Sequence, residues 1–388
     1  MIESAVLTII ILISSSLLAI IICNRLHIPF IVGYIAVGIA LGPSVIDCLK
    51  NTEVLHDIAE FGLVFLLFSV GLEFSLTRLA KYKLSLLGLA LAQLIITLLL
   101  VGFIGFQLGL DINQSIIIGS VVAMSSTGIV IKQLKDQSEL SFAHAPYIIS
   151  ILLMQDIAVI PALMFVSSVA IPNMHQADLL TVTWIFGKSI VAILLILFLG
   201  HFVLRRLFHW ASKQHIPELF TLLTLLVALG YPWFTYMMGM SWLLGAFIAG
   251  LTLAETEFQH LLEQEIRPFR DIFMGLFFVA IGSQLDLHNV ILFWPWVLLL
   301  LSAIILAKFL IILVLGLFFT KDKKIALRTS LCLAQGGEFG FAILVLALQR
   351  NLFPYDYGQV ILAALLISML ISTFMIRYNS VIADRVFK

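Results

Sequence analysis

Charge is what this sequence has least of. Asp, Glu, Lys and Arg together make up 11% of its 388 residues, and 22 basic side chains cancel 22 acidic ones. There is no basic run, so bulk electrostatics give no reason to expect a nucleic-acid partner. The three cysteines, Cys23, Cys48 and Cys332, have no metal-type spacing and read as small apolar residues. Polar stretches are too short for a soluble globular segment. The first residues lack the positive start and small-residue cleavage site of a signal peptide, so Met1–Ile22 reads as a membrane helix. What fills the chain instead is apolar: 62% hydrophobic residues and a mean hydropathy of +1.13. That is an all-α polytopic membrane protein.

A helix needs about 20 apolar residues to cross a bilayer. Stretches of that kind lie near 5–23, 28–46, 57–74, 84–109, 112–132, 145–170, 181–206, 217–232, 234–253, 268–285, 290–319, 325–348 and 357–377, which makes thirteen spans. The basic residues fit this count. With the N-terminus outside, 18 of the 22 Lys and Arg fall in loops on the cytoplasmic side, and Lys50 and Arg350 alone fall outside. The positive-inside rule then sets the N-terminus out and the C-terminus in. Of the remaining two, Lys188 snorkels towards a membrane face and Lys308 lies in mid-span.

One acid interrupts the sixth span. From His144 to His175, Asp156 is the only charge, next to Gln155 in ISILLMQDIAVIPALMF. A carboxylate at bilayer depth costs about 2.5–3.5 kcal/mol on insertion scales, so such a group is expected to face an ion or proton pathway. A carboxylate holds a proton or a cation but not both, and that competition suffices for exchange. Gln155 adds an oxygen that does not titrate. An intramembrane aspartyl protease needs a second reacting aspartate, and no other Asp lies at bilayer depth. No TVGYG-type filter supports a channel.

The chain also repeats itself. GYIAVGIAL from Gly33 in span 2 matches GAFIAGLTL from Gly245 in span 9, each with glycines five apart. GLVFLLFSVGLEF from Gly62 in span 3 matches GLFFVAIGSQLDL from Gly275 in span 10. An offset of seven spans inverts the second copy. Spans 1–6 and 8–13 therefore read as an inverted repeat with span 7, 181–206, as linker. Spans 5 and 12 are each broken halfway by small polar residues, Ser125-Ser126-Thr127-Gly128 and Gln335-Gly336-Gly337-Glu338. Such breaks expose carbonyls and charged helix ends to an ion. Lys308 either pairs with Asp156 in the empty site or neutralises the carbonyl ends of the half-helices, with Glu338 on the amide ends.

The stretches FGLVFLLFSVGLEF (61–74), AMSSTGIVIKQL (123–134), QDIAVIP (155–161), HLLEQEIRPFRDIFMGLFFVAIG (260–282) and AQGGEFGF (334–341) resemble the Kef-type, glutathione-gated potassium/proton antiporters of the second monovalent cation/proton antiporter family. The resemblance covers essentially the whole chain. It implies a sodium/proton antiporter-like fold of thirteen helices, assembled as a homodimer in a bacterial inner membrane. Dimer contacts are expected from spans within about 1–80 and 217–285, and an ion-translocating core from about 84–170 and 290–380. It implies potassium/proton exchange by alternating access, with Asp156 as the shared site. Gln155, Ser125, Ser126 and Thr127 stand beside it. Lys308 and Glu338 compensate the helix crossing, and Gly128, Gly336 and Gly337 allow the breaks. Gln155, where sodium-type relatives carry an acid or Asn, favours potassium over sodium. The acidic loop with Glu255, Glu257, His260, Glu263 and Glu265 resembles the family's regulatory loop, which contacts a cytosolic nucleotide-binding domain. None of these 388 residues is expected to form that domain, so no cofactor is expected in this chain. Glutathione or nucleotide gating would require the domain or an ancillary subunit.

Overall fold

In the computed structural model the described residues are 2–26, 28–43, 45–46, 52–73, 83–169, 200, 202–214, 216–237 and 241–387. All regular structure among them is helical. In chain order the helices are α1 (Ile2–Leu26), α2 (Phe30–Leu41), α3 (Thr52–Glu73), α4 (Leu84–Gln107), α5 (Ile112–Ala123), α6 (Thr127–Asp136), α7 (Ala145–Val169), α8 (202–213) and α9 (Pro217–Met237). They continue with α10 (Trp242–Ala254), α11 (Gln259–Gln284), α12 (Leu287–Leu292), α13 (Trp294–Thr320), α14 (Lys323–Leu333), α15 (Glu338–Gln349), α16 (Tyr355–Arg377) and α17 (Asn379–Val386).

Seven segments of the described residues are long and apolar enough to cross a membrane, with Ile112–Asp136 and Lys323–Gln349 each counted through its break. Three shorter apolar helices accompany them. Most of the linker span, with Lys188, lies outside the described residues. One boundary differs from the sequence reading. Spans 8 and 9 do not part at Tyr231-Pro232, because α9 runs on to Met237 with Pro232 inside it. Proline removes one helical N–H, which costs the Ala228 carbonyl its usual partner, yet the helix continues through it.

The chain forms two compact units, one of Met1–Lys50, Lys81–Ala162 and Phe278–Lys388, the other of Asn51–Ala80 and Leu163–Phe277. Within the first, the two broken spans are the interior elements, 67% and 89% buried, while Leu84–Gln107 and Trp294–Thr320 are only 28% and 33% buried. The outer pair shows the bilayer large apolar side chains such as Leu99, Phe103, Val314 and Phe318. Helix starts are built locally. Asp111 and Gln114 form a reciprocal capping box at α5, and Asp322 accepts from Lys324 N and Ile325 N at α14.

Apolar contact alone does not hold helices together in lipid, where close backbone approach through small residues takes over. The repeat glycines do this in matching ways. In the first unit, a Cβ at Gly38 of α2 would run into the Val279 carbonyl of α11 and lie 2.9 Å from Gly282 Cα. In the second unit, a Cβ at Gly250 of α10 would run into the Phe68 carbonyl of α3 and lie 2.9 Å from Gly71 Cα. Span 2 on span 10 thus has its counterpart in span 9 on span 3, as an inverted repeat requires. The preceding glycines follow suit: Gly33 meets Ala19 and Cys23 of α1, and Gly245 meets Pro232 and Thr235 of α9.

Candidate ion-binding site

The site lies in the first unit, where α5 and α6 meet α14 and α15 at their breaks. The first break runs through Met124, in extended backbone, and Ser125, and Ser126 then caps α6, its Oγ accepting from Ile129 N at 3.2 Å. The second break holds Ala334 to Gly337, and Gly337 starts α15 with no side-chain cap. The two are in backbone contact: a Cβ at Gly337 would lie 2.5 Å from the Ser125 carbonyl carbon. Gly336 N donates to Ser368 Oγ at 3.0 Å, which anchors the second break on α16.

Each break leaves carbonyls at one helix end and amides at the next. Lys308, fully buried on α13, answers the carbonyls. Its Nζ donates to the Met124 carbonyl at 2.6 Å, the Gln335 carbonyl at 2.6 Å and Ser125 Oγ at 2.8 Å. An ammonium has three N–H donors, and all three point at the breaks. Glu338 answers the amides: its Oε1 accepts from Gly128 N at 3.1 Å.

Asp156 and Gln155 are neighbours on α7 but face different ways. Gln155 is 1% exposed and turned into the break, its Oε1 accepting from Ser125 N at 2.8 Å. Asp156 is only half-buried, and Thr127 Oγ1 donates to its Oδ1 at 3.0 Å. Beside it, Thr127 is half-buried and Gly128 exposed. The accessible wall of the site is therefore a carboxylate, a hydroxyl and the first turn of α6. Among the described residues no cluster of three or more His, Cys, Asp or Glu could hold a metal ion.

The residues singled out in the acidic loop lie in the second unit. They make exposed pairs there: Glu257 with Arg205 at 3.2 Å and His260 with Glu263 at 4.0 Å. Glu265 accepts from Thr221 Oγ1 at 2.5 Å. The backbone amide of Glu257 and then Arg205 hold its carboxyl below the usual range.

Two groups of polar residues had no motif to announce them. Gln93 on α4 is 0% exposed and bonds Gln155, visible in the sequence only as a lone amide in an apolar span. The other is a buried knot at the start of α7. Glu139 takes the Arg328 guanidinium at 2.6 Å, His144 Nε2 at 3.1 Å and Asn379 Nδ2 at 3.1 Å. It ties the helix carrying Asp156 to α14 and α17. Burial holds the His144 imidazole below its ordinary value, Arg328 pushes the same way, and Glu139 opposes both. A cavity of about 430 Å³ opens beside it, lined by Phe142, Lys324 and Asp384 among others.

Residues 12–378 match the family model described as sodium/hydrogen exchanger, transmembrane. The chain is 39% identical over 358 residues to a protein of Alkalimonas amylolytica named "Putative K(+) efflux antiporter KefB", covering 92% of this chain and 54% of that one. It is 34% identical to the chloroplastic K(+) efflux antiporter 1 of Arabidopsis thaliana, over 92% of this chain and 30% of the relative. The chain thus spans about half or less of the length of these relatives. In fold it is similar to the sodium proton antiporter MjNhaP1 of Methanocaldococcus jannaschii at pH 8, with a TM-score of 0.66, 19% identity, and coverage of 99% of this chain and 98% of that one. A multi-pass helical chain with two broken spans around a mid-span carboxylate, matched over nearly its whole length, belongs to the sodium/hydrogen exchanger transmembrane family.

Proposed function

We propose that this chain is the ion-translocating membrane part of a potassium/proton antiporter, in which one potassium ion and one proton compete for Asp156 as the core alternates between the two membrane faces. The observation that carries this is the half-buried Asp156 carboxylate, bonded to Thr127 at 3.0 Å beside a break whose carbonyls Lys308 already satisfies. Lys308 and Glu338 balance each other, and the one carboxylate of Asp156 takes one proton or one monovalent cation. A hydroxyl oxygen beside a single carboxylate suits a weakly hydrated cation. The relatives named as K(+) efflux antiporters, 33–39% identical, support potassium as that cation.

The chain works as a homodimer, with contacts from spans within about 1–80 and 217–285, and 84–170 with 290–380 forming the moving core. It sits in a bacterial inner membrane with the N-terminus outside. The loop with Glu255, Glu257, His260, Glu263 and Glu265 then faces the cytoplasm, where exposed charge suits it to dock a nucleotide- or glutathione-responsive domain.

The test is exchange in proteoliposomes under an imposed proton gradient, with potassium, sodium and lithium added in turn to wild type and Asp156→Asn. Potassium is expected to dissipate the gradient, and the variant is expected to be inactive. An equal sodium response moves the assignment to a sodium/proton antiporter of the same fold. Potassium flux without proton movement would make the chain a gated efflux channel. A variant that still exchanges removes Asp156 as the coupling group.

A further inference from the structure

Gln93 lies fully buried in α4. Its Nε2 donates to Thr97 Oγ1 at 3.1 Å and to the carbonyl of Ala123, the last residue of α5, at 3.4 Å. Its Oε1 accepts from Gln155 Nε2 at 2.9 Å, and Gln155 Oε1 in turn accepts from Ser125 N at 2.8 Å. The run begins and ends on either side of Met124, whose carbonyl takes Lys308.

The direction of this run is imposed at its ends. A peptide carbonyl only accepts and a peptide N–H only donates. With the Ala123 carbonyl at one end and the Ser125 N–H at the other, each amide has a single allowed orientation. Turning either one sets donor against donor and acceptor against acceptor between fully buried groups, which is strongly unfavourable.

We propose that Gln93 is a positioning residue for cation/proton exchange: it fixes the amide orientation of Gln155, holds the backbone at Ala123–Ser125 beside Asp156, and so requires an amide rather than an acid at position 155. This rests on Asp156 being the exchange site. A carboxylate at 155 would turn an acceptor oxygen on Gln93 Oε1. Gln93 cannot turn in response without setting that oxygen on the Ala123 carbonyl. The relay thereby restricts the site to the one carboxylate of Asp156.

The test measures the potassium dependence of proton-gradient dissipation for the full chain in proteoliposomes, as wild type, Gln93→Met, Gln155→Met and the double variant. The same four proteins are melted in detergent. Gln93→Met is expected to raise KM for potassium about fivefold, the loss of one net hydrogen bond, with kcat within about twofold. In the Gln155→Met background it is expected to change KM no further. An unchanged KM, or effects on KM that multiply, overturns the positioning role. Gln155→Glu decides the matter if the methionine variant does not fold, because it sets an oxygen on Gln93 Oε1. Its KM for potassium is expected to rise at least as much as that of Gln93→Met, and a KM within about twofold of wild type overturns the claim. Wild type that does not exchange potassium overturns the antiporter reading beneath the proposal. Melting that is coupled between positions 93 and 155 while KM is not overturns the positioning role alone.

Discussion

Thr127 Oγ1 donates to Asp156 Oδ1 at 3.0 Å, joining the first residue of α6 to the middle of α7. The bond favours the ionised carboxylate, because a charged acceptor takes the stronger hydrogen bond. Removing it tilts the competition at Asp156 towards the proton. Thr127→Val is expected to raise KM for the cation at least about tenfold, from a bond to a charged group contributing about 1.5–3 kcal/mol. Its exchange optimum should move to higher pH, while Thr127→Ser stays near wild type. Exchange assays across pH check both. Valine and serine variants with the same pH profile would show that the hydroxyl does not act on Asp156.

Lys308 joins the two breaks through the carbonyls of Met124 and Gln335. Lys308→Met leaves both carbonyls buried without a donor, at about 1–3 kcal/mol each. Its melting temperature in detergent is expected to fall well below wild type, while that of Asp156→Asn stays close to it. If Asp156→Asn melts as low as Lys308→Met, and the double variant no lower, the lysine instead serves mainly as the partner of Asp156.

How much of this was legible in the sequence depends on the range of each interaction. Asp156 could be read because a carboxylate in an apolar run is conspicuous whatever its partners are. The breaks could be read because Ser125-Ser126 and Gly336-Gly337 weaken a helix locally. The inverted offset of the repeats could be read from Gly33, Gly38, Gly245 and Gly250, since close packing needs glycine at the contact itself. For Lys308 the sequence offered the carbonyl ends of the breaks as one of two partners but could not choose between them, because Met124 and Gln335 lie 184 and 27 residues away and meet only where the two broken spans cross. Gln93 and Gln155 are 62 residues apart, and Asn379 and Glu139 are 240 apart. No periodicity or spacing encodes such pairs. The end of α9 differs for the opposite reason: Pro232 is a strong local signal for a helix end, and the helix runs through it to Met237.

Gly38 and Gly250 occupy matching places in the two repeats, each with a carbonyl where a side chain would begin. Gly38→Ala and Gly250→Ala are each expected to destabilise the chain by about 1–3 kcal/mol, since the obstacle is backbone and cannot turn aside. Melting of the two variants in detergent checks this. Similar losses fit twofold equivalence of the contacts, and a loss in one variant alone would break it.

His144 makes the stability of the chain depend on pH with a definite sign. It faces Glu139 from the turn before α7, Arg328 and Lys324 from α14, and Asn379 and Asp384 from α17. Burial, then Arg328, hold its imidazole below the ordinary value. The unfolded chain, with His144 near about 6.5, therefore binds more protons than the folded chain at mildly acidic pH. The stability that neutral His144 contributes is complete above that pH and is lost as pH falls below it. His144→Gln keeps a donor for Glu139 and does not titrate. Between about pH 8 and pH 5 the melting temperature of wild type is expected to fall more steeply than that of the variant. Parallel curves would assign the acid loss to carboxylates elsewhere. A gap that opens only below about pH 6.5 would assign it to this imidazole, and to the knot that ties the Asp156 helix to α14 and α17.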